Sequence, residues 1–130
     1  MVLRLMLGIN ILLHGITRLP DLAGFADGMS KEFADTWMPV AMARAVGFVI
    51  PIVETILGLF LLAGFKLRLA LLGTGALLCV LHFGMGLQQA WGTLGSQLVY
   101  GIVVFLLLIT HRFDPIALDR RCEKRATTTT

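Results

Sequence analysis

A few side chains able to exchange protons or hydrogen bonds are set into runs of sequence that are otherwise hydrocarbon. Glu54 lies within GFVIPIVETILGLFLLAG, residues 47–64. A charged group at the centre of a membrane helix costs about 2.5–3.5 kcal/mol on insertion scales, so it requires a partner, water or a ligand. Pro51, about one turn earlier, has no amide proton and crowds the preceding turn, so a bend and a freed carbonyl are expected close to Glu54. Arg44 lies ten residues before Glu54, in the first turns of the same predicted span. Asn10, His14 and Arg18 are spaced by four and share a helix face. Cys79, His82 and Gln89, with Gln88 beside them, follow at three- and seven-residue spacing, and Gln97 and Tyr100 complete the set.

A carboxylate, histidines, a tyrosine and amides gathered in an apolar cleft can move protons. They can also hydrogen-bond a carbonyl or a hydroxyl. Membrane quinones carry those groups on a lipid-soluble ring and take up protons when reduced. Glu54 and His82 are therefore the candidate catalytic, proton-handling pair. His14, Arg18, Arg44, Gln97 and Tyr100 are the candidate ligand-binding residues. His14 and His82 as axial haem ligands form a weaker alternative, since nothing in their spacing demands haem. Cys79 lies in an apolar run and Cys122 in a charged one, with no CxxC or zinc spacing, so neither a disulfide nor a metal site is indicated.

Each residue also has a plainer role open to it. Arg18 and Arg44 can snorkel to an interface, Tyr100 can anchor there, and the glutamines flanking a turn can be solvated. His82 can bond a backbone carbonyl, Glu54 can form a structural ion pair, and Cys79 reads as a small packing residue.

The elements that must position these groups are set by composition. The 130 residues are 57% hydrophobic and 15% charged, with mean hydropathy +0.85, whereas soluble domains are about a quarter charged. The expected class is all-α: an integral membrane antiparallel four-helix bundle, with spans at about 2–19, 40–64, 69–89 and 97–111. Residues 1–112 form this membrane domain, and 113–130 a charged cytoplasmic tail, partly disordered. Arg4 before an apolar run imitates a signal peptide, but Asn10, His14 and Arg18 interrupt the run and no clear cleavage site is present after it, so it is read as the first span. Between the first two spans, Leu22, Phe25, Met29, Phe33 and Trp37 recur at three- and four-residue spacing and predict an interfacial amphipathic helix at about 22–37. Trp91-Gly92-Thr93 reads as a tight turn before the last span. Glycines 8, 15, 47, 58, 73, 75, 84, 86 and 101 are expected to let helix backbones approach.

Four spans put both termini on one side. That side holds eight basic residues, Arg4, Lys66, Arg68, Arg112, Arg120, Arg121, Lys124 and Arg125, against Arg18, Lys31 and Arg44 on the other. The positive-inside rule then places both termini in the cytoplasm and the interfacial helix outside. The net charge of +3 and pI near 9.3 reflect this bias, not nucleic-acid binding.

Certain runs carry a family resemblance: LRLMLGINILLHGITRL, FADGM, FVIPIVETILGLFLLAGFKLRLALL and WGTLGSQLVYGIVVFLLL. Together they resemble the DoxX-like family of small bacterial four-helix membrane proteins over roughly residues 3 to 108. The most recognisable pieces are His14-Gly15 and the run from Glu54 to Gly64; Arg18 stands where many members have lysine. The resemblance implies an inner-membrane location. It also implies kinship with the large subunit of thiosulfate:quinone oxidoreductase and with members linked to redox partners.

The leading expectation is a quinone-interacting subunit of an oxidoreductase system whose electrons come from another subunit, since the chain has no flavin, iron–sulfur or dithiol motif. The alternative is a non-catalytic anchor or assembly partner for a membrane or periplasmic protein, docking through Phe25, Met29 and Phe33. A homo-oligomer that forms a solute or proton pathway is a third reading.

Overall fold

The computed structural model describes residues 1–111. Over these residues the chain is all-helical, with no strand. The helices are α1 (Val2–Ile16), α2 (Leu22–Glu32), α3 (Val40–Ala63), α4 (Leu67–Leu87) and α5 (Trp91–Thr110), with a short 3₁₀ turn at Leu19–Asp21 between the first two. Four segments are long and apolar enough to cross a membrane: Val2–Glu32, Val40–Ala63, Leu67–Leu87 and Trp91–Thr110. At 1.5 Å per residue the last three reach about 30–36 Å, matching a bilayer core of about 30 Å. α1 by itself reaches only about 22 Å. Helices are the form such segments must take, because lipid offers no partner to a free amide or carbonyl. The charged tail, Cys122 and the basic residues from Arg112 onward lie outside the described residues.

The surface shows the pattern of a chain solvated by hydrocarbon. Met6, Ile9, Leu13 and Ile16 on α1, Val49, Ile52, Ile56 and Leu59 on α3, and Leu98, Ile102, Phe105 and Ile109 on α5 are all exposed. Their three- and four-residue spacing makes one continuous apolar stripe per helix. Inside, Leu7, Ile11, Leu61, Leu71, Leu78, Val104 and Leu107 form the core.

The tightest contact is between α1 and α3. A Cβ on Gly58 would lie 2.6 Å from the Leu12 amide nitrogen, and one on Gly15 would lie 2.7 Å from the Pro51 carbonyl oxygen. α2 packs on the same helix nearer its start, where a Cβ on Gly47 would meet the Ala26 Cα at 2.8 Å. The other glycines do not serve this purpose: Gly86 and Gly101 have open space around them, and Gly75 and Gly84 meet only side chains.

One turn and the end of α2 differ from the sequence expectation. The α4–α5 turn falls at residues 88–90, with Gln89 at φ 55°, and Trp91 already belongs to α5. Neither Thr93 nor Ser96 caps the helix; extending it one turn further satisfies more backbone groups than stopping at a side-chain cap. After α3, Gly64 takes φ 66° and closes the helix with its amide on the Leu61 carbonyl, a left-handed cap that suits glycine. α2 ends at Glu32, short of residue 37, and Pro51 lies inside an unbroken α3.

Arg4 is the main surprise of the core. It is 1% exposed and donates through Nη1 to the carbonyls of Leu61 (2.7 Å) and Leu62 (3.2 Å). A residue expected to mark the cytoplasmic surface is instead a cation placed on the orphan carbonyls at the end of α3, where the helix dipole also favours it.

Candidate functional site: an ion pair in one seam and a polar groove in another

The close approach at Gly15 sets the position of the turn that follows α1. From that turn Arg18 faces α3 and donates through Nη1 to Glu54 Oε2 at 2.8 Å. Glu54 is 2% exposed at its side chain and Arg18 30%. The guanidinium also lies over the Phe25 ring, 4.6 Å from its centroid, so Arg18 joins α1, α2 and α3 at one point. His14 lies one turn earlier and is exposed. Its Nδ1 is 3.0 Å from the Asn10 carbonyl oxygen. Asn10 in turn donates through Nδ2 to Tyr100 Oη at 3.3 Å, reaching across to α5. The four-residue ladder thus divides into two parts: Asn10 and His14 meet each other and Tyr100, while Arg18 meets Glu54. Pro51, Glu54's neighbour, cannot bond back along the helix, and its own carbonyl takes a second donor, the Thr55 hydroxyl at 2.7 Å.

The other predicted residues lie elsewhere. Arg44 does not reach Glu54, since ten residues along one helix separate them by about 15 Å. Its Nε donates to Asp27 Oδ1 at 2.7 Å, an exposed tie between α3 and α2. His82 and Gln97 line a separate groove of about 580 Å³ between α4 and α5, floored by Leu78 and Val104 and flanked by the exposed Phe83, Leu98 and Phe105. His82 is half-buried and makes no hydrogen bond among the described residues. The Oε1 atom of Gln97 is buried and also lacks a partner. No hydrogen bond joins His82 to Glu54, so the structure does not assemble the two into one site. Gln88 reaches Glu32 at 3.5 Å, across the ends of α4 and α2.

Two expectations about surface and packing are corrected. Cys79 is exposed on α4, not packed in the core. The apolar stripe of α2 faces inward: Phe33 is 4% exposed and Phe25 stacks on Arg18. Met29 and Phe33 line a second, wholly apolar groove of about 390 Å³ with Met42 and Met85. That stripe is turned toward α3 and α4, with Phe25 and Met29 only partly buried.

Sequence reasoning gave Phe25 a docking role instead of a contact with Arg18, and passed over Asp27, which holds Arg44, and the role of Arg4. The signal for Arg4 was present: Arg4, Gly8, Ile11 and Gly15 fall on one face, and a charge on the small-residue face of a helix points inward.

The family model of DoxX matches residues 1–87. The chain belongs to the DoxX family. The matched range runs from α1 to the end of α4 and contains the whole Arg18–Glu54 cluster. No match is found among characterised proteins or among solved structures.

Proposed function

We propose that this DoxX protein is a quinone-interacting subunit of a redox system, with the quinone ring held in the groove between α4 and α5. The observation that carries the reading is that groove. It is apolar, sized for a small ligand, lies between two membrane-spanning helices, and offers two polar side chains with unspent hydrogen-bonding capacity, His82 and Gln97. A quinone diffusing in the bilayer would enter from the side without crossing a polar surface. His82, neutral, has one N–H to donate and one lone pair to accept, and so can exchange a proton with a ring oxygen. The electron donor is another protein. Glu54, engaged by Arg18, holds α1, α2 and α3 together.

In this reading the helices form an antiparallel bundle in a bacterial inner membrane. α2 lies as an interfacial cap on the outer side, and both termini lie in the cytoplasm. Short connections and the eight-to-three bias of basic residues support that arrangement.

The test uses protein purified in mild detergent. A solvent extract should contain quinone, and a short-chain benzoquinone added back should raise the melting temperature. His82→Ala should remove that shift, whereas Glu54→Gln should lower the melting temperature and keep it. An empty extract together with no stabilisation by added quinone rules the proposal out.

A further inference from the structure

We propose that the apolar groove beside α2, α3 and α4 binds one soft monovalent cation of the Cu(I) class, held by the thioethers of Met29, Met38, Met42 and Met85. Cation binding there does not depend on quinone binding between α4 and α5. The chain has six methionines, and four of them line this one groove of about 390 Å³. The other two, Met1 and Met6, are exposed at the start of the chain. The four come from separate elements: Met29 from the last turn of α2, Met38 from just before α3, Met42 from its first turn, and Met85 from the last turn of α4. Gly47 seats Met29, since a Cβ on that glycine would lie 3.5 Å from the Met29 Cβ. Methionine by itself is an ordinary gap-filler; the rest of the lining singles this groove out. It offers no side-chain nitrogen or oxygen among the described residues. A hard cation such as Mg2+ or Ca2+ therefore finds no side-chain ligand there, and a quinone finds no side-chain N–H or O–H donor. Thioether sulfur is the donor present in number, and soft sulfur selects Cu(I) over hard ions. The aromatic rim also suits positive charge. Phe33 and Phe83 line the groove, and Trp37 meets Phe83 with ring centroids 6.3 Å apart. Met42 is 55% exposed, so an ion reaches sulfur without crossing the core. Cys79 lines the same groove but lies about 9 Å from Met85 along α4 and takes no part in the proposed site.

The test uses full-length protein in detergent carrying Cys79→Ser and Cys122→Ser, so that thioethers are the sulfur left. Cu(I), kept reduced with ascorbate under anaerobic conditions, is titrated in competition with a chromogenic chelator while tryptophan emission is followed. One Cu(I) per chain should bind and quench the emission, and Zn(II) should do neither. The volume-conserving Met42→Leu and Met85→Leu should each weaken Cu(I) at least about tenfold. Combined, they should abolish binding, whereas Met6→Leu should leave it unchanged. No saturable Cu(I) binding, binding that survives the combined variant, or binding that the two serines alone remove would overturn the proposal. If the leucine variants unfold, X-ray absorption of the Cu(I)-loaded parent decides. A first shell of sulfur alone supports the site, and a shell containing nitrogen or oxygen overturns it.

Discussion

The α1–α3 seam and the α4–α5 seam are both contacts between apolar helices in the same bundle, yet they are closed in opposite ways. At the first, glycines on both helices bring backbone to within the width of a missing Cβ, and the Arg18–Glu54 pair lies beside the crossing. At the second, Gly101 faces open space, a groove remains between the helices, and His82 and the Gln97 Oε1 along it have no hydrogen-bond partner among the described residues. Lipid tails are as apolar as leucine, so hydrophobicity does not drive helices together within a bilayer. Close packing and satisfied polar groups do. The first seam has both and is a structural joint. The second packs through side chains such as Leu78 and Val104 but has neither a backbone contact nor a satisfied polar pair, which leaves space and bonding capacity beside it.

The largest break in this contrast should come from adding side chains at the two seams. Gly58→Leu must displace the backbone of Leu12 and should cost more than about 3 kcal/mol. Gly101→Ala, whose added Cβ meets nothing within 4 Å, should stay within about 0.5 kcal/mol. Thermal melts followed by size-exclusion chromatography in detergent would compare them; equal losses would mean that the seams are not packed differently.

Next in size is the ion pair. Glu54→Gln leaves Arg18 facing a neutral amide and should cost about 2 kcal/mol, less than a fully buried pair because Arg18 is partly exposed. A double-mutant cycle with Arg18→Gln should return a coupling of about 1–2 kcal/mol. Zero coupling would show that the 2.8 Å contact does not hold the helices.

On the groove side, His82→Ala removes no hydrogen bond, so the ligand-free melt should move by less than about 0.5 kcal/mol while stabilisation by added quinone disappears. A large loss of stability instead would place His82 with the structural residues of the first seam. The smallest effect belongs to Arg44→Ala. Both members of its pair with Asp27 are about half exposed, and such pairs contribute about 0.2–1 kcal/mol. The loss should shrink further in high salt.

Much of this architecture is legible in the order of residues. Runs such as 47–64 are too apolar for anything but a helix in lipid, and Gly64 shows where one must end. That Glu54 needs a partner is a consequence of the energetics of charge in hydrocarbon alone. Boundaries were less legible: Trp91-Gly92-Thr93 has turn chemistry, but the chain turns three residues earlier and helix α5 takes the extra turn. The glycine stripe was legible as a set, yet not which members would be used. Gly15 and Gly58 seat a backbone, while Gly86 and Gly101 have the same composition nearby and seat nothing.

The sequence by itself determined the helices, their membrane-spanning character and the presence of one carboxylate that must be answered. Only the tertiary structure decided by what. Arg44 shares a helix with Glu54 but is fixed about 15 Å away along the helix axis. Arg18, 36 residues distant in the chain, is brought alongside because Gly15 lets α1 rest on Pro51 and Thr55. Distances within a helix are set by its rise and turn and can be counted from the sequence. Distances between helices are set by where two surfaces can approach, and that depends on every side chain along the seam.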